Sequence, residues 1–456
     1  MPVYTDNLAR NPRIRTPNDG IARDPMPYSW PFAPPTASYT RNSVAYDWNG
    51  NQYAANVPRY LPNKYGNTYY AEEGTTNLLK DASFDSATAI GASGGAWTAY
   101  NGTSGGSSVA KDTSTHFGAS TTSVKITIPA NSTEVENGAG QTISVSAGTT
   151  YAFSGYYFGA ANDPNWVSIY VIWLNSSGGE VGYSDFSHVN PTNSWTYYTQ
   201  TATAPTGAVT AQVHFRYFNN NSNASTITAW WDDVQVEVKP YATTVIYAAD
   251  DTTQATRSPD QLNYTLPQPL PTVWGGMLWW KPSQAYNTGK PQQLLAIGTT
   301  GTYSGRYSLA WDGTSTFYWA KSANGTNWTF LHSAAMTFNA GDTIFVGLED
   351  DPVSGTVSLW IGINGGALAL TTLANTAQLT GAQVAYIAAN ASPGNEADGT
   401  LGDVQIYGGR NWVSQIPLIY ASGSPAPWLP DSIDIRPLNG TFAGVSNPAT
   451  SGIQIG

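Results

Sequence analysis

The sequence predicts an all-β protein: two antiparallel β-sandwiches of jelly-roll type, preceded by an extended, irregular N-terminal arm. Three observations carry this. Short runs of alternating apolar residues, separated by Gly, Asn, Ser and Pro clusters, fill the chain from about residue 75 onward. No segment sustains a 3.6-residue apolar period over three turns, so little helix is expected. At roughly 100–200 residues per domain, 456 residues suit two to four domains, each able to bury its own core.

The arm, residues 1–70, stands apart by charge and by proline. Residues 1–64 carry seven basic against four acidic residues, and the rest of the chain twelve against twenty-six. The same stretch holds ten of the 29 prolines, which are excluded from helix interiors and central strands. Tyr28, Trp30, Phe32, Tyr39, Tyr46, Trp48, Tyr53 and Tyr60 are anchors that a disordered linker would lack, so the arm is expected to lie on a partner. Residues 71–240 follow as the first sandwich, with strands expected at 123–128, 141–145, 150–158, 166–174, 195–202, 211–217 and 230–238. Residues 241–425 are expected to form the second, with strands at 274–280, 293–297, 306–311, 316–320, 343–349, 356–363, 382–388 and 402–407. Residues 426–456, with Pro427, Pro430 and Pro437, are read as a C-terminal extension without a core of its own.

Only 11% of residues are charged, against roughly 25% in ordinary soluble domains, so Ser, Thr, Asn and Gly must build the surface. A net charge of −11 repels phosphate backbones and anionic headgroups, so neither nucleic acid nor membrane is an expected partner. There is no cysteine, hence no disulfide and no Cys-based zinc site. No run approaches the roughly 18 apolar residues of a membrane span, and the start of the chain has no apolar core behind its charges. The expectation is a soluble chain without an ordinary export signal.

Two segments carry a family resemblance. The first runs Ser38-Tyr39-Thr40-Arg41-Asn42-Ser43, continues from Ala45 to Tyr60 as AYDWNGNQYAANVPRY, and closes on Glu72-Glu73-Gly74-Thr75-Thr76-Asn77-Leu78-Leu79. It resembles the N-terminal segment of phage head spike, head fibre and tail fibre proteins, with Tyr70-Ala71 in place of the usual glycine-leucine pair. The second, Tyr241 to Ile246 followed by Ala255-Thr256-Arg257-Ser258-Pro259-Asp260, is similar to a connector that recurs between domains of the same proteins. Residues 77–239 resemble carbohydrate-binding-module jelly rolls, through Asn77-Leu78-Leu79, Ser83-Phe84-Asp85, Trp195, Ala204-Pro205 and Trp231-Asp232-Asp233-Val234. Residues 260–420 look like a concanavalin A-like or laminin G-like sandwich, through Trp279-Trp280-Lys281-Pro282 and Gly402 to Tyr407.

These resemblances imply a virion protein on the outer surface of a phage particle, a head fibre, spike, decoration protein or tail fibre. Residues 1–70 would attach it to capsid or tail proteins, and the sandwiches would contact host-surface or environmental glycans. A homo-oligomer, or many copies per particle, is expected. The rival readings are a secreted polysaccharide-degrading enzyme with an accessory module and a purely structural component without a ligand.

No catalytic residues are expected. Glycoside hydrolysis needs two carboxylates roughly 5–9.5 Å apart. The nearest cluster, Glu349-Asp350-Asp351-Pro352, reads as a solvated hairpin loop. His116, His188, His214 and His332 lack metal-site spacing. A structural Ca²⁺ is the one cofactor that the jelly-roll resemblance implies, with Asp85 and Asp232 as its ligands. Sugar binding calls for aromatic faces with polar neighbours. Period two along 166–174 sends Val167, Ile169, Val171 and Trp173 to the core and Trp166 and Tyr170 outward. Along 211–217 it buries Val213 and Phe215 and exposes Gln212, His214 and Arg216. If those strands share a sheet, Trp166, Tyr170, Gln212, His214 and Arg216 form the expected carbohydrate-binding platform.

Overall fold

The computed structural model describes residues 36–434 except 64–65, 101–105, 133–135, 161–162, 220–224, 267–269, 271, 299–305, 324–325, 375–383, 390–393, 409–415 and 422–431. The described chain is nearly all antiparallel strand, with one short α-helix, Ile416–Ala421. It divides into two compact units, one of residues 43–54 and 74–258, the other of 1–42, 55–73 and 259–456.

The first unit is a sandwich of two five-stranded sheets. One runs Glu180–Asp185, Trp166–Leu174, Thr210–Phe218, Glu136–Ser144, Thr98–Tyr100, and the other Thr196–Thr203, Thr150–Gly159, Ile227–Glu237, Ser123–Ile128, Ser108–Asp112. Alternation along each strand supplies the core between them: Val124 and Ile126, Phe153 and Tyr157, Val167 to Trp173, Val213 to Tyr217, Trp231 and Val236. Trp97 donates its indole N–H to the Asp81 carbonyl, which satisfies the one polar atom of that buried ring. The expected strands recur, that at 166–174 to the residue. The strand expected at 141–145 starts at Glu136 instead.

The second unit pairs a seven-stranded and an eight-stranded sheet around its own core, which includes Trp274, Trp280, Trp311, Trp319 and Phe317. Part of the expected arm belongs to it. Thr36–Thr40 is an edge strand on Gln261–Thr265, and the hairpin Arg59–Asn63 and Gly66–Ala71 extends the larger sheet beyond Gly399–Gly408. Between them, 43–54 folds into the first unit. The described part of the expected arm, from Thr36 on, is therefore strand and hairpin, and residues 1–35 lie outside the described residues.

The reason is electrostatic as much as apolar. Arg41 and Arg59 both reach Asp260, Arg59 also pairs with Glu72 at 2.5 Å, and Tyr39 donates to Asp260, all of them buried. Burial alone would raise the Asp260 carboxyl, but the two guanidinium groups hold it at about 2. Two arginines of the basic head are thus interior groups, and the two segments carrying the fibre-protein resemblance meet in one network. The domain boundary shifts with it, since residues 241–258 belong to the first unit. In the C-terminal extension, Ser432–Asp434 pairs with Gly399–Gly408, and the rest lies outside the described residues.

Candidate functional site

The outer face of the sheet holding Thr210–Phe218 carries polar and aromatic residues side by side. Register sets Trp166 beside Phe218, Ser168 beside Arg216, Tyr170 beside His214 and Ile172 beside Gln212. The five residues read from the sequence as a platform therefore do share one face. Their inward neighbours Val167, Ile169, Val171, Val213 and Phe215 are all buried in the core.

Rings cross this face from strand to strand. The centroid of Tyr183 lies 5.9 Å from that of Tyr170, Tyr170 lies 6.3 Å from His214, and His214 lies 4.1 Å from Tyr100. These four come from four strands, and Tyr183, at the outer edge, is 63% exposed. A shorter line runs beside it, with His188 5.2 Å from Trp166 and 4.6 Å from Phe218. End to end the centroids of this row lie at most about 16 Å apart, longer than one sugar ring.

Between the two lines lies Arg216. Its guanidinium donates to Glu136 at 2.7 Å, to Asp185 at 2.6 Å and to Ser168 at 3.0 Å, and it sits 4.3 Å over the Tyr170 ring and 4.4 Å over Phe218. Tyr100 donates its hydroxyl to the other oxygen of Glu136 at 2.8 Å. Burial, followed by that carboxylate, pushes the Tyr100 phenol up to about 12.

Here the structure corrects the expected exposure. Arg216 is only 3% exposed and His214 6%, because the rings of Tyr100, Tyr170 and Phe218 lie against them; Gln212, Trp166 and Tyr170 are half-buried. Strand period tells which face a side chain takes, not what neighbouring strands lay over it.

His214 is the unusual member. Both ring nitrogens are buried without a hydrogen-bond partner. The imidazole lies over Gly140, where an added Cβ would come within 2.5 Å of Nδ1, so glycine makes room for the ring. Burial first, and then the Arg216 charge, lowers its pKa to about 4, which keeps the ring neutral at ordinary pH.

Tyr100, Glu136, Tyr183, Asp185, His188 and Phe218 complete the face and were not singled out in the sequence. Period two would have found Tyr183 and Asp185 once Glu180–Asp185 was recognised as a strand. Nothing local marks Tyr100, whose strand has three residues.

Asp85 and Asp232, the expected calcium ligands, do not form an ion cage. One oxygen of Asp85 accepts from the Thr121 and Thr122 backbone N–H groups at 2.9 Å each and from both hydroxyls, and the other accepts from Tyr247. Against the upward push of burial, those hydrogen bonds hold Asp85 below the usual carboxylate range. Asp232 accepts from the Phe117 and Asp233 N–H groups at 2.7 Å each. Oxygens ringed by N–H and O–H donors do not fit a cation, which needs several free oxygen ligands. Among the described residues, no group of three or more His, Asp or Glu side chains is placed to hold a metal. Burial, and their mutual proximity with Asp85, push the adjacent Asp232 and Asp233 upward.

A second correction concerns Glu349-Asp350. Both are buried within the strand Ile344–Asp351 rather than solvated in a loop, and Lys321 approaches Asp350 at 3.9 Å. The turn, residues 352–355, begins only after Asp351.

No family model matches the chain, and no curated protein matches it. Among solved structures, the enzymatically active domain of bacteriophage CBA120 tailspike protein 4 aligns at 15% identity and a TM-score of 0.28, over 35% of this chain and 21% of that one. The CBM22-1 xylan-binding domain of Paenibacillus barcinonensis Xyn10C aligns at 16% identity and a TM-score of 0.25, over 36% of this chain and 92% of that one. The tandem CBM22-1–CBM22-2 domains of the same enzyme align at 13% and 0.28, over 74% and 99%. The chain thus spans about a fifth of the tailspike domain it aligns with.

Proposed function

We propose that the chain is a non-catalytic glycan-binding protein displayed in many copies on the outside of a phage particle, with the first sandwich as its binding domain. The observation that supports binding is the row of rings Tyr183, Tyr170 and His214, which crosses three strands of the sheet and has hydrogen-bonding groups beside it. Sugar rings stack on such faces, and their hydroxyls pair with the polar groups alongside. Glu136 and Asp185, two carboxylates of the face, both accept from Arg216 and hold its guanidinium in place, which supports a structural rather than a catalytic role for them.

The virion role rests on the resemblance of residues 38–79 and 241–260 to fibre and spike proteins. Because residues 36–71 contribute strands to the second unit, the attachment element is sought in residues 1–35. Removing 1–35 is expected to leave a cooperative melt while abolishing incorporation into particles; incorporation at the full-length level would refute the attachment role. For the binding role, the full chain is run through gels containing single polysaccharides. Retardation by at least one, weakened by Tyr170→Ala with Tyr183→Ala, is expected, and uniform migration through a broad panel would refute it. Single-site binding on a few rings is weak, about 0.5–1.5 kcal/mol per aromatic contact, so adhesion would depend on multiple copies.

A further inference from the structure

The chemistry of the His214 surroundings narrows the ligand. We infer that this face selects uncharged, hydroxyl-rich glycans and that His214 is the residue that reads them, reached when the Tyr100 ring moves aside. The inference rests on the glycan-binding reading and adds the ligand class and the reading residue.

Buried polar groups are nearly always paired, and leaving one unpaired costs the desolvation of that group. His214 leaves two unpaired, at the centre of the face, between Tyr100 and Tyr170 and over a glycine that makes room for its ring. A phenylalanine would fill that shape without the penalty. A neutral imidazole offers one N–H donor and one acceptor nitrogen. A sugar hydroxyl is itself both donor and acceptor, so neighbouring hydroxyls can satisfy both nitrogens. A carboxylate or sulfate accepts only, and it leaves the acceptor nitrogen unpaired. Burial and Arg216 keep the ring uncharged, which preserves that pairing.

The charges around it point the same way. The cation on this face that would draw an acidic sugar, Arg216, is held by two carboxylates, Glu136 on one side and Asp185 on the other. An anionic glycan would meet these two acids before it met a free guanidinium. Tyr100 ends a three-residue edge strand paired on one side with Glu136–Ser144, and its hydroxyl is tied to Glu136. Turning that ring away opens the imidazole while leaving the sheet beneath intact.

The test uses the full chain and three matched pairs: hydroxyethyl- and carboxymethyl-cellulose, methyl-esterified and de-esterified homogalacturonan, and dextran and dextran sulfate. Binding is read with the wild type and with His214→Phe, His214→Gln and Tyr100→Ala, and thermal melts are recorded for each. Where a pair is bound, the neutral member should bind at least tenfold more tightly. His214→Phe should lose about tenfold on it, the scale of one or two hydrogen bonds, while melting higher. His214→Gln, which keeps a donor and an acceptor, should recover part of the loss, and Tyr100→Ala should bind several-fold more tightly. Equal or tighter binding of the charged member, or wild-type affinity in His214→Phe, would overturn the inference while leaving glycan binding standing. If no member of any pair binds the wild type, the glycan-binding reading fails first and this inference with it.

Discussion

The two outer faces of the first sandwich are both rich in aromatic residues, and among the described residues only one of them is laid over by another segment of the chain. On the sheet containing Thr150–Gly159, Tyr156 stacks on Phe117 at 3.7 Å, Tyr197 packs edge-on to Trp48 at 5.2 Å, and Tyr46 lies 5.8 Å from Tyr247. The cover is the 43–54 hairpin, held by the Tyr156 hydroxyl donating to the Trp48 carbonyl at 2.8 Å. Its turn comes so close that a Cβ at Gly50, already at φ +77, would fall 2.6 Å from Gly118. On the sheet containing Thr210–Phe218, no described segment plays that part, and the rings end at an exposed Tyr183. Aromatic content alone does not mark a binding face; what the rest of the chain lays over it does.

The largest effect that would sharpen this contrast is on stability. Tyr156→Ala removes a buried ring from the covered face and should cost about 3–5 kcal/mol in a denaturant melt of the full chain. Tyr183→Ala on the open face should cost under about 0.5 kcal/mol. Similar losses at both positions would mean that the open face is structural as well.

Next comes pH, where the two faces should differ in sign. His214 has a folded pKa of about 4 against about 6.5 for a free imidazole, so between those values the unfolded chain binds more protons. The stability it contributes is present above about pH 6.5 and is lost as pH falls toward 4, by up to roughly 3 kcal/mol. Asp233, raised to about 7 by burial and by Asp85, behaves oppositely. Its folded form holds the proton more tightly than the usual carboxylate, so stability is present at low pH and falls as pH rises from about 4 through 7. His214→Phe should therefore raise the melting temperature most near pH 4–5, and Asp233→Asn most at and above pH 7. Two variants with parallel pH profiles would contradict the assignment.

The smallest effect is that of chelation. With the oxygens of Asp85 and Asp232 turned toward donors, EDTA and millimolar Ca²⁺ should leave the melting temperature within about a degree. A rise of several degrees in Ca²⁺ would show a cation site and restore the ligand role of these residues.

Of this contrast, the two central strands of the open face were legible in the sequence. The alternation in 166–174 and 211–217 was strong enough to fix both strands and their outward residues, because each strand buries one face in a continuous core. Glu136-Asn137-Gly138-Ala139-Gly140 was not legible as strand, because glycine reads as a loop. Here it is strand because His214 and its neighbours occupy the space that side chains would take. The burial of His214 and Arg216 depended on cross-strand partners that no local pattern records. The head of the chain misled for a similar reason. Its prolines and positive charge suggested an arm, but Arg41 and Arg59 find Asp260 about two hundred residues away, and that long-range pairing turns the segment into strands.

The central claim, that the open face and not the covered one binds glycan, is tested most directly by one competition of variants. A polysaccharide that retards the full chain is titrated against the wild type, against Tyr170→Ala with Tyr183→Ala, and against Trp230→Ala, which alters the half-buried ring packed edge-on to Phe158 on the other sheet. The account predicts that the open-face pair loses binding by at least tenfold with little change in melting temperature, while Trp230→Ala binds as the wild type does. Loss of binding in Trp230→Ala, with the open-face pair unaffected, would contradict it.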